Sequence, residues 1–171
     1  PPPTTRIFTL MYAWFAKILS RLTAFARDRR GVAAVEVAVV MPIFLLLFSG
    51  LIEVGRAYEQ ANAIEKGLRA GALYLARTGD PAAASAQATA SELVRTGRIG
   101  GDAPFLAPGW EQGNSVLDIT LGNFVLGEQN LAVIRIAAEV PFEPLVPGLA
   151  ASFGLDDYTI RLSHEQAYVG L

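Results

Sequence analysis

The residue with the clearest chemical consequence is Glu36, a carboxylate that interrupts an otherwise apolar part of the chain. Between Gly31 and Ile52 it is the one ionisable side chain in twenty-two residues. A charged carboxylate near the centre of a bilayer costs about 2.5–3.5 kcal/mol on insertion scales. Glu36 must therefore be paired with a cation, be protonated, or reach water by snorkelling to the membrane interface.

Other reactive side chains are scarce. The chain has no cysteine and one histidine, His164, which excludes thiol nucleophiles, disulfides and histidine clusters for a metal site or a triad. Asp156 and Asp157 could form a catalytic or calcium-binding pair, but a turn at the start of a strand accounts for them more simply. Phosphate loops and nucleophile elbows are missing from the sequence as well. We therefore expect no enzymatic activity, no cofactor and no metal.

The uncharged stretch that follows Glu36 predicts a transmembrane helix. Sixteen residues from Val37 to Ile52 carry no charge, and about twenty helical residues cross a hydrocarbon core of about 30 Å. We place the membrane helix at residues 32–53 and its continuation beyond the membrane at 54–78. A removable secretory signal fits less well, because no small-x-small cleavage site follows the apolar run. Pro42 should kink this helix.

The distribution of charge predicts the orientation of the chain. Residues 1–30 carry a net charge of +5, and the remaining residues carry −7. The positive-inside rule then places the N-terminus in the cytoplasm and residues 79–171 across the membrane, in the periplasm. A nucleic-acid-binding arm is the alternative for the basic head, but it has no lysine-rich run and adjoins the apolar stretch.

The order of residues around Glu36 resembles the processing site of type IV pilin-like precursors. Arg29 and Arg30 precede Gly31, and the apolar run begins directly after Glu36. This resemblance implies that a prepilin peptidase cuts after Gly31 and leaves Val32 as the first residue. Glu36 would then be the fifth residue, and its carboxylate would pair with the terminal amine of a neighbouring subunit.

Residues 31–69 as a whole are similar to the TadE-like family of minor pilins and pseudopilins, which serve the tight-adherence (Tad, Flp) pilus. The positions that carry the likeness lie on the predicted helix: Gly31, Glu36, Pro42, Glu53, Gly55, Arg56, Tyr58, Gln60, Asn62 and Ala63. A later segment, VPFEPL at residues 140–145, is similar to the PFxPL segment seen late in that family.

The resemblance implies a structural subunit of a bacterial inner-membrane machine. Its partners would be the prepilin peptidase, other Tad minor and major pilins and the inner-membrane assembly platform, with no nucleic acid. Glu36 and Pro42 would serve subunit assembly, and the mature chain would cross the membrane once or enter the extracellular pilus. Residues 1–31 would be a basic leader. Met11 is a candidate start, which would make residues 1–10 upstream sequence.

The rest of the chain predicts an α+β, pilin-like domain. Small and apolar residues at a 3.5-residue spacing favour packing of the long helix on its own domain: Ala57, Ala61, Ile64, Leu68, Gly71 and Leu75. A second helix is expected at 81–96, with Asp80 as its N-cap and Pro81 as its first residue. After a loop at 97–114, strands are expected at 116–121, 131–140 and 158–169, with Gly122-Asn123 and Gly127 as turns.

Two other interpretations stay open at this point. One is an uncleaved single-pass envelope protein whose periplasmic domain binds a partner. The other is a pseudopilin of a type II secretion system, which would share the cleavage site. The residues ExGR at 53–56 and PFEPL at 141–145 favour the Tad system over the latter.

Overall fold

The computed structural model describes residues 30–155 and 157–170, apart from the side chains of Arg30 and Leu126. The predicted leader before residue 30, the candidate start at Met11 and Asp156 therefore lie outside the described residues. Contacts divide the chain into two compact units, the first ending at Leu47 and the second beginning at Phe48.

The long N-terminal helix is present and supplies the only described residues of the first unit. Helix α1 extends over Arg30–Ala76, 47 residues, with Pro42 inside it. Every side chain described between residues 31 and 47 is exposed. Among the described residues, this is the one helix long and apolar enough to cross a membrane. The predicted apolar helix is thus confirmed, and it is compatible with a single-pass membrane protein.

Within the second unit, α1 is amphipathic and packs on its own domain. The seam predicted from the sequence lies against the core, where Ile64, Leu68 and Leu75 are fully buried. On the opposite side Glu65 and Arg69 form an exposed ion pair, with 2.9 Å between Arg69 Nη2 and Glu65 Oε1. The helix therefore has one face for the core and one for solvent, as its 3.5-residue pattern indicates.

Helix α2 begins later than the sequence predicted. It extends over Ala84–Thr96, with Ala83 as the N-cap residue. Asp80 caps a preceding turn instead, because its Oδ1 accepts a hydrogen bond from the backbone N–H of Ala82 at 2.9 Å. The predicted start at Pro81 is therefore wrong by three residues. The predicted stop is correct, since Gly97 ends the helix with a φ of 72° that favours glycine.

The two helices approach closely through glycines of α1. A Cβ at Gly67 would overlap the backbone carbonyl of Val94, and one at Gly71 would meet Val94 Cγ2 and the carbonyl of Ala90. Glycine at these two positions is thus required by the distance between the helix backbones.

Three antiparallel strands complete the domain in the order β1-β2-β3. Strand β1 covers Val116–Leu126, β2 covers Gln129–Pro141 and β3 covers Thr159–Ala167. The predicted α+β architecture is confirmed. The turn predicted at Gly122-Asn123 is wrong, because both residues pair within the ladder, opposite Val133 and Ala132. The turn predicted at Gly127 is confirmed, because the chain turns at Gly127-Glu128 and Gly127 has a φ of 62°.

One face of the sheet covers the helices. Alternate residues of β2 are buried against them: Ile134, Ile136, Ala138 and Val140. Trp110 is also buried, and the Arg95 guanidinium lies 5.5 Å from its ring centroid. His164 pairs with Ile136 in the ladder and is half-buried, whereas Tyr158 is exposed and meets Phe142 edge to face. These residues are structural parts of the domain.

A short helix between β2 and β3 was not predicted. Helix α3 extends over Pro147–Ser152, with a proline in its first turn. A proline is a common first residue of a helix, and the residues on either side of α3, Val146 and Phe153, contact α1.

Candidate functional site

Three polar residues of α1 face the segment that follows β2. Glu53, Arg56 and Gln60 are three and four positions apart, which places their side chains on one face of the helix. Each of them has a hydrogen bond to the backbone of residues 141–146. We call these three side chains and residues 141–146 the clamp. It joins the two stretches that carry the family likeness, which lie more than 80 residues apart.

Glu53 is the most buried polar residue of the clamp. The residue is only 1% exposed. Its two carboxylate oxygens accept separate hydrogen bonds from the backbone. Oε2 accepts from the N–H of Leu145 at 3.1 Å, and Oε1 accepts from the N–H of Val146 at 2.9 Å. Hydrogen bonds to an ionised acceptor are stronger than neutral ones. The carboxylate thus fixes the chain at the residue before α3.

Gln60 connects two loops to the helix with a single amide group. Its Nε2 donates to the carbonyls of Pro108 and Pro141, each at 2.8 Å. Its Oε1 accepts a longer bond, 3.4 Å, from the N–H of Glu143. Gly109 allows this approach, because a Cβ there would overlap the carbonyl of Pro141 and its φ is +89°. The buried amide therefore has partners for both its nitrogen and its oxygen.

Arg56 completes the clamp from the middle of the helical face. Its Nη2 donates to the carbonyl of Glu143 at 3.2 Å. Gly55, which the sequence grouped with Glu53 and Arg56, does not join them. It is exposed, and a Cβ there would meet no atom within 4 Å. The glutamate and arginine of ExGR thus have contacts in the clamp, and the glycine has none.

An aromatic contact extends the clamp by one turn toward the N-terminus of α1. The ring of Phe153 lies against Gly50, with ring carbons 3.0–3.3 Å from where a Cβ would stand. A larger residue at position 50 would displace the ring. Together with Glu53, this contact holds both ends of α3 against α1.

The geometry of the clamp suits mechanical connection better than chemistry. Both Glu53 oxygens, both polar atoms of Gln60 and the Nη2 of Arg56 bond backbone groups, whereas the Nε of Arg56 is buried without a hydrogen-bond partner among the described residues. Among the described residues, no group of three or more His, Asp or Glu side chains could hold a metal ion. The adjoining cleft of about 210 Å³ is lined by residues such as Arg56, Gln60 and Pro108. The clamp fixes residues 141–146 and α3 to one face of α1.

The remaining predicted site residues lie in the first unit. Gly31 and Val32 are in the first turn of α1, with Glu36 one turn further and Pro42 inside the helix. Gly31, Val32 and Glu36 are exposed, and a Cβ at Gly31 would meet no atom within 4 Å. The backbone and side chains at the proposed cleavage position are therefore on an accessible surface.

Three features that support the clamp were not predicted from the sequence. Gly50 and Gly109 were not singled out, and α3 was not predicted. A signal for Gly109 was available, since Pro-Gly at 108–109 is a turn dipeptide. No local signal marks Gly50, because the residue that requires it, Phe153, is 103 positions away in the chain.

Comparison with known proteins gives a match over most of the long helix. Residues 31–73 match the model of a family described as TadE-like protein. The match confirms the resemblance inferred from the sequence and is consistent with a component of a Tad-type pilus. It includes Glu53, Arg56 and Gln60 and ends before the segment that they bind. No curated protein and no solved structure gives a significant match to the chain.

Proposed function

We propose that this chain, with its TadE-like first helix, is a minor pilin or pseudopilin of a Tad pilus that contributes to assembly of an adhesive fibre. A prepilin peptidase cuts it between Gly31 and Val32 on the cytoplasmic side of the bacterial inner membrane. Residues 32–53 then hold the subunit in the membrane, and the domain from residue 79 onward lies in the periplasm. Its role is structural, as is that of TadE-like pilus components in general.

The family match over residues 31–73 is the observation that carries this proposal. The matched stretch starts at the glycine where cleavage is proposed, after the basic residues 29–30 and before the apolar run. A glycine leaves the scissile backbone open to the peptidase because it has no Cβ. The exposed apolar surface of residues 31–47 suits both lipid and the helices of neighbouring pilins.

The proposed role of Glu36 follows from the same arrangement. Cleavage would give Val32 an α-amino group, which is largely protonated near neutral pH. An exposed carboxylate four residues along the helix then requires a cationic partner within an apolar packing of helices. The terminal amine of the next subunit meets that requirement. The other partners are the remaining Tad pilins and the assembly platform.

The test is the N-terminal residue of the protein recovered from membranes, with and without the cognate prepilin peptidase. We expect Val32 at the N-terminus only when the peptidase is present. Gly31→Leu should leave the leader attached, because the added side chain obstructs the scissile bond. Gly55→Leu is the matched control, since an added Cβ at either glycine meets no atom within 4 Å.

Each result separates the proposal from its alternatives. An intact leader in both samples would contradict the pilin assignment and favour an uncleaved envelope protein. Cleavage followed by co-purification with a type II secretion apparatus, instead of Tad pilins, would favour the secretion pseudopilin.

A further inference from the structure

Residues 144–155 form a second apolar stretch beside α1. Their sequence, PLVPGLAASFGL, has no charge over twelve positions, between Glu143 and Asp156. It contains α3 and the residues at both of its ends. We call residues 144–155 the apolar shoulder.

The clamp holds the apolar shoulder at the end of the apolar run of α1. Phe153 packs on Gly50, and the amides of Leu145 and Val146 bind Glu53. The uncharged run of α1 ends at Ile52, so Glu53 is the first ionisable residue after it. A bilayer crossed by that run must therefore have one of its interfaces close to the shoulder.

The shoulder exposes apolar side chains, whereas the Glu53 carboxylate beside it is buried. Leu145, Val146 and Phe153 are 60%, 48% and 45% exposed, whereas Glu53 is 1% exposed. A carboxylate at this depth would ordinarily need water. Here two backbone amides satisfy it, so the surface next to the run stays apolar for a few residues beyond Ile52.

We propose that the apolar shoulder is a second membrane contact, which lies in the interfacial layer of the bilayer where the apolar run of α1 ends. The proposal rests on the membrane span in the proposed function and adds a lipid-binding surface outside that span. The side chains of Leu145, Val146 and Phe153 would insert into this layer. The helix would then be held to the membrane at two points, the run itself and the shoulder.

Two observations favour lipid as the occupant of this surface. The shoulder is continuous with the apolar run through the contact of Phe153 with Gly50. Exposed tyrosines also lie just beyond it, Tyr58 on α1 and Tyr158 before β3, 69% and 49% exposed. Amphipathic aromatic rings are enriched at membrane–water interfaces.

Single-cysteine labelling tests the proposal on the full chain, which has no native cysteine. Leu145→Cys is labelled with an environment-sensitive fluorophore in phosphatidylcholine and phosphatidylglycerol vesicles at a low protein-to-lipid ratio. Val125→Cys, at an exposed position of β1, is the aqueous control, and Ile43→Cys reports on the apolar run. Quenching by a nitroxide lipid is compared with quenching by iodide, and circular dichroism verifies that each variant is folded.

We expect the label at position 145 to be quenched by the nitroxide lipid severalfold more than the label at 125, and by iodide severalfold less. Val146→Cys should behave like Leu145→Cys, which guards against a local disturbance by one label. Iodide quenching at 145 and 146 equal to that at 125 would overturn the proposal. So would shielding from both quenchers, which would indicate a protein partner on the shoulder.

The label at position 43 separates this proposal from the one it rests on. Lipid quenching at 43 together with aqueous labels at 145 and 146 overturns the shoulder contact and leaves the membrane span intact. Aqueous labels at all three positions overturn the span itself, and the shoulder contact with it.

Discussion

Glu53 illustrates how one buried carboxylate can determine the path of a distant segment. Both of its oxygens accept backbone hydrogen bonds, from residues 92 and 93 positions further along the chain. A backbone amide left without an acceptor on burial costs about 1–3 kcal/mol. The same face of α1 uses Gln60 in the same way, so polar side chains specify the position of residues 141–146.

Removing the Glu53 carboxylate should loosen this segment. We expect Glu53→Ala to lower the free energy of unfolding by about 1–3 kcal/mol, because two amides lose their acceptor. The control is Glu65→Ala, whose carboxylate forms an exposed pair with Arg69. Such pairs contribute about 0.2–1 kcal/mol. Denaturant titration of the full chain in detergent, followed by circular dichroism, measures both, and equal effects would contradict the clamp.

A substitution at Gln60 should make stability depend on pH. Gln60→Glu would place a carboxylate oxygen against the carbonyls of Pro108 and Pro141, where the native amide donates at 2.8 Å to each. Burial and these carbonyls favour the protonated acid, so the folded-state pKa of the new group lies above its unfolded value. The loss of stability relative to the native protein should therefore grow as pH rises from 4 to 8.

Gln60→Ala removes the same hydrogen bonds without adding an ionisable group. Its loss of stability should be independent of pH over that interval. Parallel unfolding curves of the two variants at pH 4, 6 and 8 test the difference. A pH-independent Gln60→Glu would mean that the side chain has moved out to water.

At the level of elements, the crossing of α1 and α2 depends on glycine. Gly67 and Gly71 lie where the backbone of α2 comes nearest to α1. Intrinsic helix propensity opposes glycine by about 1 kcal/mol relative to alanine. The packing of Ile64, Leu68 and Val94 in the core must therefore stabilise the fold by more than glycine destabilises the helix.

Alanine substitutions should separate these two effects. Gly67→Ala should lower the thermal midpoint strongly, because its Cβ would overlap the Val94 carbonyl and overpacking costs about 1–3 kcal/mol or more. Gly55→Ala, in the same helix but with open space around it, should leave the midpoint unchanged or raise it. Thermal melts of both variants check this. Similar midpoints would show that the helices can separate without penalty.

Elements with a strong local signal could be predicted from the sequence. The apolar run and the 3.5-residue seam predicted the long helix and its buried face. The β-branched residues predicted the three strands. Of the two predicted turns, the one at Gly127 is correct and the one at Gly122-Asn123, five residues earlier, is wrong, because cross-strand pairing overrides its turn propensity. The start of α2 was wrong for a related reason, since Asp80 caps a turn and not the helix.

The clamp could be predicted only in part. Glu53, Arg56 and Gln60 were identified through the family likeness, as was the PFEPL segment, but nothing local shows that the two meet. Their contact depends on the tertiary path of the chain through both helices and the sheet. The same limit explains why α3 and the Gly50–Phe153 contact were missed.

At the scale of the whole molecule, the two units differ in how their apolar side chains are buried. The residues described in the first unit expose apolar side chains, whereas the second unit has a conventional core. An exposed apolar helix surface of this extent indicates lipid or protein partners. We propose that Glu36 acquires its function when the chain packs against other subunits.

Replacing the Glu36 carboxylate should separate membrane insertion from assembly. Glu36→Ala makes the apolar run longer, so membrane insertion should be normal, whereas incorporation into pili should fall markedly because the proposed amine has no partner. Glu59→Ala, also exposed on α1, is the control and should assemble normally. Immunoblots of membrane and sheared-pilus fractions measure both steps. Normal pilus content of Glu36→Ala would count against the pairing.

The long sequence separation across the clamp also sets the timing of folding during synthesis. Glu53 is made 92 residues before Leu145, and at about 5–20 residues per second this delay lasts roughly 5–20 s. Throughout that interval the carboxylate of Glu53 has none of its final partners. The ribosome must pass residue 146 before the acid can be buried. The clamp can therefore close only late in synthesis, when α3 and β3 are the elements that remain to be made.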